Sequence, residues 1–337
     1  PSSRPSSCPS GRSRRSSVIT ITARSTAAPL TGAIGGRYPE RDRVRHGADR
    51  TLGMPAQTLV SLTARCYGLL MEPNPGLVFR YGTVYLDYVR RLATTPPDDD
   101  GPVWMINLMS YRERAEYADG RQTELTGLEA DDAYAPHGPL AAVGAEVVFL
   151  ATVESQLLGA DPPWHRIGVV KYPTRRAFIE MQSRPDFVSL HAHKDAGMAQ
   201  TIVMGGLPIA SPQLPDDAPG WDDVAHPPTD ADGPVVVLHV LQFASDDARS
   251  EMTSYTAHAA LVAVPHGGRV AGWFEVEGTI IGDGRPWHQA RFNAFPSKAA
   301  FMAVVMDPAR LEAQAAHREP ALADTYTMIL RPTIDRL

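Results

Sequence analysis

Val153-Glu154, Leu157-Leu158-Gly159 and Pro163-Trp164-His165 return later in the chain as Val276-Glu277, Ile280-Ile281-Gly282 and Pro286-Trp287-His288. Every matched pair is 123 positions apart, six of the eight pairs are identical, and the other two exchange Leu for Ile. That register, held over a tryptophan and a histidine, marks an internal duplication of long period.

Outward from the first block, the pattern predicts a strand over 104–109 and a helix over 126–143 that Pro136 and Pro139 break or shift. Strands follow over 146–153 and 164–172, helices over 174–184 and 186–200, and a strand over 201–205. Around the second block the order repeats: a strand over 235–243, a helix near 251–264, strands over 269–276 and 287–295, helices over 297–306 and 309–324, and a strand over 325–331. Each copy is β-α-β-β-α-β, the ferredoxin-like split unit. The expected class is α+β: two tandem ferredoxin-like units, packed sheet on sheet or closed into an intrachain barrel, with a helical N-terminal arm. The expected divisions are an Arg/Ser-rich extension at 1–56, an arm and linker at 57–100, repeat one at 101–208, a Pro/Asp-rich linker at 209–232 and repeat two at 233–337. In the arm, 58–94 reads as two helical pieces split at Pro73-Asn74-Pro75-Gly76. Leu77, Tyr81, Val84, Tyr88 and Leu92 form one apolar face of the second piece.

A four-stranded sheet with helices on one face leaves the other face uncovered, and two copies can cover each other. Alternate strand residues point to opposite faces. Trp104, Ile106 and Leu108, with Val236, Leu238 and Val240, are assigned to the helix-covered cores. The faces expected to meet between the sheets then carry His239, Arg269, Trp273, Glu275, Gln289, Arg291 and Asn293 from copy two. Copy one offers mainly apolar groups plus Asn107, Arg166 and Tyr172. Buried polar groups need partners or a ligand. This predicts a small-molecule pocket between the sheets, polar on the copy-two side. The alternative is a wet interface in which Arg291 and Glu275 pair.

Composition excludes several classes. The 337 residues are 43% hydrophobic and 21% charged, as in soluble proteins of about two domains. No apolar run approaches the roughly 20 residues of a membrane helix. Cys8 and Cys66 make neither a disulfide framework nor a cysteine-based zinc site, so a reducing, cytoplasmic setting is expected. Residues 1–56 hold ten arginines against Glu40, Asp42 and Asp49, which leaves the rest near -13 of the net -6 and argues against nucleic-acid binding. That extension reads as a disordered tail, with a transit peptide or an upstream mis-start before Met54 as further readings. No Walker loop, no Gly-x-Gly-x-x-Gly after a strand and no Gly-x-Ser-x-Gly elbow is present.

Met105-Ile106-Asn107-Leu108, Tyr117-Ala118-Asp119-Gly120-Arg121 and Gly144-Ala145-Glu146-Val147-Val148-Phe149 carry a family resemblance, with Tyr172-Pro173-Thr174-Arg175, Ala177-Phe178 and His191-Ala192-His193. Together they resemble the domain of unknown function 1330, within the dimeric α+β barrel superfamily. The resemblance covers nearly all of copy one. Copy two keeps Phe295-Pro296-Ser297 and Ala300-Phe301 but lacks the Ala-Asp-Gly-Arg turn. It implies that the tandem supplies within one chain the two units that relatives bring together as a homodimer. Those relatives include cofactor-free monooxygenases, isomerases, lyases and haem enzymes.

Three histidines recur between the copies: His137 with His258, His165 with His288, and His193 with His317. Tyr134 and Tyr255 each precede the first pair by three positions, which puts them beside it on a helix face, as a surface contact or a proton relay. His191 and His193 point about 200° apart on a helix and chelate one ion poorly. A haem-binding reading would use His193 or His317 as axial ligand. His239 interrupts an aliphatic strand and is the candidate general base. Arg291 is the candidate holder of an anionic or enolate oxygen. Asn293 completes the candidate catalytic set, and Asn107, Arg166, Tyr172, Trp273, Glu275 and Gln289 the substrate-binding set. The function expected is small-molecule binding with cofactor-independent oxygenase, isomerase or lyase chemistry; the alternatives are a non-catalytic binding or assembly module and a haem-binding barrel. A small-molecule ligand and a homo-oligomer are the expected partners, with no cofactor or metal.

Overall fold

In the computed structural model, residues 80–337 are described, Ala160 excepted. The expectations for the extension at 1–56 and for the first helical piece of the arm lie outside the described residues. The second piece is corrected: Thr83–Val84 is a short strand, β1, and the helix α1 is Leu86–Thr94.

Repeat one contains β2 (Val103–Tyr111), α2 (Gly127–Tyr134), α3 (His137–Ala142), β3 (Glu146–Leu158), β4 (Arg166–Tyr172), α4 (Arg175–Gln182), α5 (Pro185–Gly197) and β5 (Met198–Pro208). Repeat two contains β6 (Val235–Phe243), α6 (Ala248–Ala263), β7 (Arg269–Gly282), β8 (Gln289–Phe295), α7 (Lys298–Met306), α8 (Pro308–Ala313) and β9 (Leu322–Asp335). The expected helix over 309–324 is cut short: a π-helical turn at Gln314–Arg318 and a three-residue helical piece at Glu319–Ala321 lead into β9.

The duplicated chemistry explains the matching starts of α4 and α7. Thr174 and Ser297 cap them, accepting from the Ala177 and Ala300 N–H groups at 3.0 Å. Asp100 and Asp232 each bind the next two free N–H groups, at Arg175 and Arg176 and at Lys298 and Ala299.

The strands run β7-β5-β2-β4-β3-β9-β6-β8 and close where β8 pairs β7. Each repeat contributes four strands in ferredoxin-like order. β3 joins β9 and β5 joins β7 across the repeats. The fold is a dimeric α+β barrel built within one chain.

The faces are the reverse of the expected assignment. Ile106, Leu108, Val236, Leu238 and Val240 lie in one cluster with Phe149, Phe292, Trp164, Trp287 and Tyr326, drawn from both repeats. That cluster fills the barrel, with Phe149 and Phe292 meeting edge to face at 5.2 Å. Met105, Met109 and Tyr172 instead pack under the helices of repeat one, and Val235, Val237 and Phe295 under those of repeat two. Strands buried on both faces carry no alternation that selects one side. A shift of register between Val147 and Phe149, repeated between Val270 and Gly272, adds a bulge to each second strand that periodicity does not reveal.

The Trp-His motif works inside this frame. The Tyr111 N–H donates to His165 Nδ1 at 3.1 Å, and the Phe243 N–H donates to His288 Nδ1 at 2.9 Å. The backbone N–H of each histidine donates in turn to the first strand, at the Met109 and Leu241 carbonyls. Both histidines therefore clamp strand ends, and both tryptophans pack on Tyr326 inside the barrel.

Candidate functional site

The expected pocket between the sheets is corrected by the same reversal. His239, Arg269, Trp273, Arg291 and Asn293 of repeat two face a cavity of about 560 Å³ between its sheet and its helices. Thr327, His239, Arg291 and Trp273 form one row straight across β9, β6, β8 and β7. The facing wall comes from α6, α7 and α8, including Tyr255, Thr256, Val304 and Arg310. The segment between the repeats completes it, through Pro212, Leu214 and Pro219.

His239 stands opposite Arg291 in the ladder and meets Thr327 Oγ1 through Nδ1 at 3.0 Å. Burial holds its imidazole well below the ordinary range, and the charges of Arg318, Arg291 and Arg310 act in the same direction. It is therefore neutral at physiological pH. The Arg291 guanidinium lies 4.3 Å over the Trp273 ring and donates to Gln289 Oε1 at 2.6 and 2.9 Å and to Thr256 Oγ1 at 3.0 Å. The Trp273 Nε1–H donates to Asn293 Oδ1 at 3.0 Å, which fixes both side chains.

Arg318 ends the π-helical turn and is buried beside this row. Its one hydrogen bond among the described residues goes to Thr325 Oγ1 at 3.4 Å. Arg310 donates to the Tyr255 hydroxyl at 3.2 Å. Arg291 and Arg318 are only 8% and 5% exposed, yet among the described residues neither has an ion pair. Burial brings the Arg291 guanidinium down to about 10 and lowers Arg318 as well. The one carboxylate in the lining, Asp217, is exposed on the connecting segment.

Of the residues singled out from sequence, His239, Arg291, Asn293 and Trp273 come together here. Glu275 and Gln289 do not line the cavity. Glu275 pairs with Arg249 at 2.6 Å and reaches Arg291 only through Gln289. Asn107, Arg166 and Tyr172 lie in a separate cavity of about 710 Å³, between the sheet and helices of repeat one. Arg166 is held there by Asp131 at 3.1 Å and Asp132 at 2.8 Å, and Asn107 by the Met105 carbonyl at 2.9 Å. The row equivalent to that of repeat two reads Val203, Asn107, Gly168 and Leu150, so its polar groups are almost all gone.

The recurrent histidines point elsewhere. Tyr134 and His137 fall on different helices, so they share no helix face. His258 stacks on His317 at 5.4 Å, and His317 meets Glu251 at 2.8 Å. His191 bonds Tyr81 and His193 bonds Tyr117, on opposite sides of α5. Neither His193 nor His317 lines either of these two cavities, so neither fits an axial haem ligand there. Arg318 and Arg310 were missed because arginines on an expected helix read as solvated. The signal was the position just after the His193/His317 pair, where both repeats carry a base, Lys194 and Arg318.

No family model matches the chain, and no curated protein matches it. Among solved structures, it is similar to a protein of unknown function from Rhodopseudomonas palustris, at 26% identity over 39% of this chain and 98% of that one, with a TM-score of 0.34. It is also similar to an anthrone oxidase-like protein, at 13% identity over 71% and 96% of the two chains and a TM-score of 0.43. A chlorite dismutase variant from Candidatus Nitrospira defluvii is 12% identical over 72% and 94%, with a TM-score of 0.39. The functional reading rests on the side chains alone. Among the described residues, no helix is long and apolar enough to cross a membrane.

Proposed function

We propose that the chain binds a small organic anion in the repeat-two cavity and acts on it without a resident cofactor, as an oxygenase, isomerase or lyase of cytoplasmic small-molecule metabolism. Repeat one is read, on its motifs, as a relative of the domain of unknown function 1330. The observation that carries the functional reading is the pair of buried guanidiniums, Arg291 and Arg318, which make no ion pair among the described residues, Glu275 reaching Arg291 only through Gln289. An uncompensated buried charge is costly, and a fold keeps it where a ligand supplies the opposite charge. The mostly apolar helix wall suits the body of such a ligand.

His239 is the base in this reading. In the tautomer whose Nδ1–H donates to the Thr327 hydroxyl, Nε2 carries the lone pair that accepts the proton. It takes a proton adjacent to a carbonyl, and Arg291 holds the oxyanion that forms. The arginines oppose protonation of His239, so the bound anion must be present for the transfer to be favourable.

The test is calorimetric titration of the full chain with aromatic and aliphatic monocarboxylates and their primary amides. Carboxylates should bind, amides should not, and Arg291→Met or Arg318→Met should weaken carboxylate binding at least tenfold. Equal binding of acid and amide would sink the reading. The low basicity of His239 favours a second reading, binding without turnover. The two part at His239→Asn, which abolishes turnover of a bound substrate in the first case and finds none to abolish in the second.

A further inference from the structure

The repeat-one cavity differs from its twin in charge, and we propose that it binds an aldehyde or ketone of largely apolar body as an imine on Lys194. The inference is independent of the reading for repeat two.

Lys194 occupies in α5 the place that Arg318 holds in repeat two, one residue after the paired histidines. It is 9% exposed, lines the cavity, and has its Nζ 5.3 Å over the Tyr134 ring. Among the described residues it makes no side-chain hydrogen bond or ion pair. The walls around it include Met105, Met109, Phe178, Phe187, Ile280 and Ile281.

The buried amine and the apolar walls around it decide the ligand class. Asp131 and Asp132 both bind Arg166, so neither is paired with Lys194. The Tyr111 hydroxyl also donates to Asp131, at 2.6 Å. Unlike the arginines of repeat two, a lysine can release its proton, which suits repeat one to addition at a carbonyl. Burial lowers the Lys194 ammonium from the ordinary lysine range, with Asp131 acting the other way.

The Nζ lone pair adds to the carbonyl carbon, forming the C–N bond. The carbonyl oxygen then leaves as water with the two amine protons, and the C=N bond remains. No oxidant or reductant is needed. The Tyr134 phenol, which burial keeps protonated, is a proton donor in the same cavity.

The chain has only three lysines, Lys171, Lys194 and Lys298, which makes the test direct. The full chain is treated with benzaldehyde and cyanoborohydride near neutral pH, then mapped by peptide mass spectrometry. The adduct should form on Lys194 at least tenfold faster than on exposed Lys171 or on Lys298, which Glu154 holds at 2.7 Å. Lys194→Arg should lose it, while Arg318→Met should keep it. Labelling that follows exposure, with Lys194 unmodified or no faster than Lys171, overturns the proposal. The map of the unaltered chain decides this whether or not the Lys194 variant folds.

Discussion

Arg175 of repeat one holds Glu277 of repeat two with two nitrogens, Nη2 at 2.7 Å and Nε at 2.9 Å. Their counterparts, Lys298 of repeat two and Glu154 of repeat one, meet at 2.7 Å. The glutamate of the duplicated stretch is thus the cross-repeat clamp, used once at each seam. The seams differ in depth: Glu277 and Arg175 are 3% and 8% exposed at their side chains, Glu154 and Lys298 27% and 38%.

That difference sets the first prediction. Arg175→Ala leaves a buried carboxylate with half-exposed Arg91 and the Tyr88 hydroxyl as its remaining partners and should cost about 2–4 kcal/mol. Lys298→Ala, at the wetter seam where Arg331 also binds Glu154, should cost less than about 1 kcal/mol. Urea denaturation of the two variants measures the difference, and equal losses would contradict the clamp's asymmetry.

The arm makes a second prediction. The Tyr88 ring lies where the side chains of two glycines would be: a Cβ on Gly205 would fall 1.7 Å from its hydroxyl, and one on Gly278 2.3 Å from its ring. The hydroxyl donates to Glu277 at 3.0 Å. Gly278→Ala should therefore expel the ring and destabilise by about 1–3 kcal/mol. Amide exchange over 86–94 should rise, and adding Tyr88→Ala should recover part of the loss. An unchanged exchange rate would show that the ring is not seated there.

Arg318 makes a third. Replacing a buried, unpaired guanidinium by methionine should stabilise the free protein by about 1–3 kcal/mol while weakening carboxylate binding. Thermal melting with and without a bound carboxylate reads both effects. A destabilised Arg318→Met variant would mean that the guanidinium serves the fold.

Acid makes a fourth. Burial depresses the imidazole of His191 to about 3, and that of His239 well below the ordinary range. Below about pH 6.5 the unfolded chain therefore binds protons that the folded chain does not. Stability is full above that pH and falls as pH drops, by about 1.4 kcal/mol per unit for each histidine, continuing toward pH 3 for His191. His191→Gln should reduce the slope by about one proton between pH 6 and about 4.5, and His239→Gln should reduce it in the same direction. Denaturant titrations at stepped pH check it, and a slope unchanged in both variants refutes the assignment.

The sequence by itself determined the duplication, the βαββαβ order of each repeat and the pairing of the copies, because a matched block 123 residues apart leaves one supersecondary unit used twice. It also marked His239, Arg291, Asn293 and Trp273 as a set, since polar residues in otherwise apolar strands stand out by type alone. Only the tertiary structure decided which face they occupy. Val235–Phe243 is apolar on both sides, so its periodicity is silent, and the bulges after Val147 and Val270 turn each second strand over midway. Nor could sequence show that Arg166 and Arg291 lie in different cavities, or that Arg318 points inward. Burial and the absence of a carboxylate partner are properties of packing among distant residues, and those give the site its chemistry.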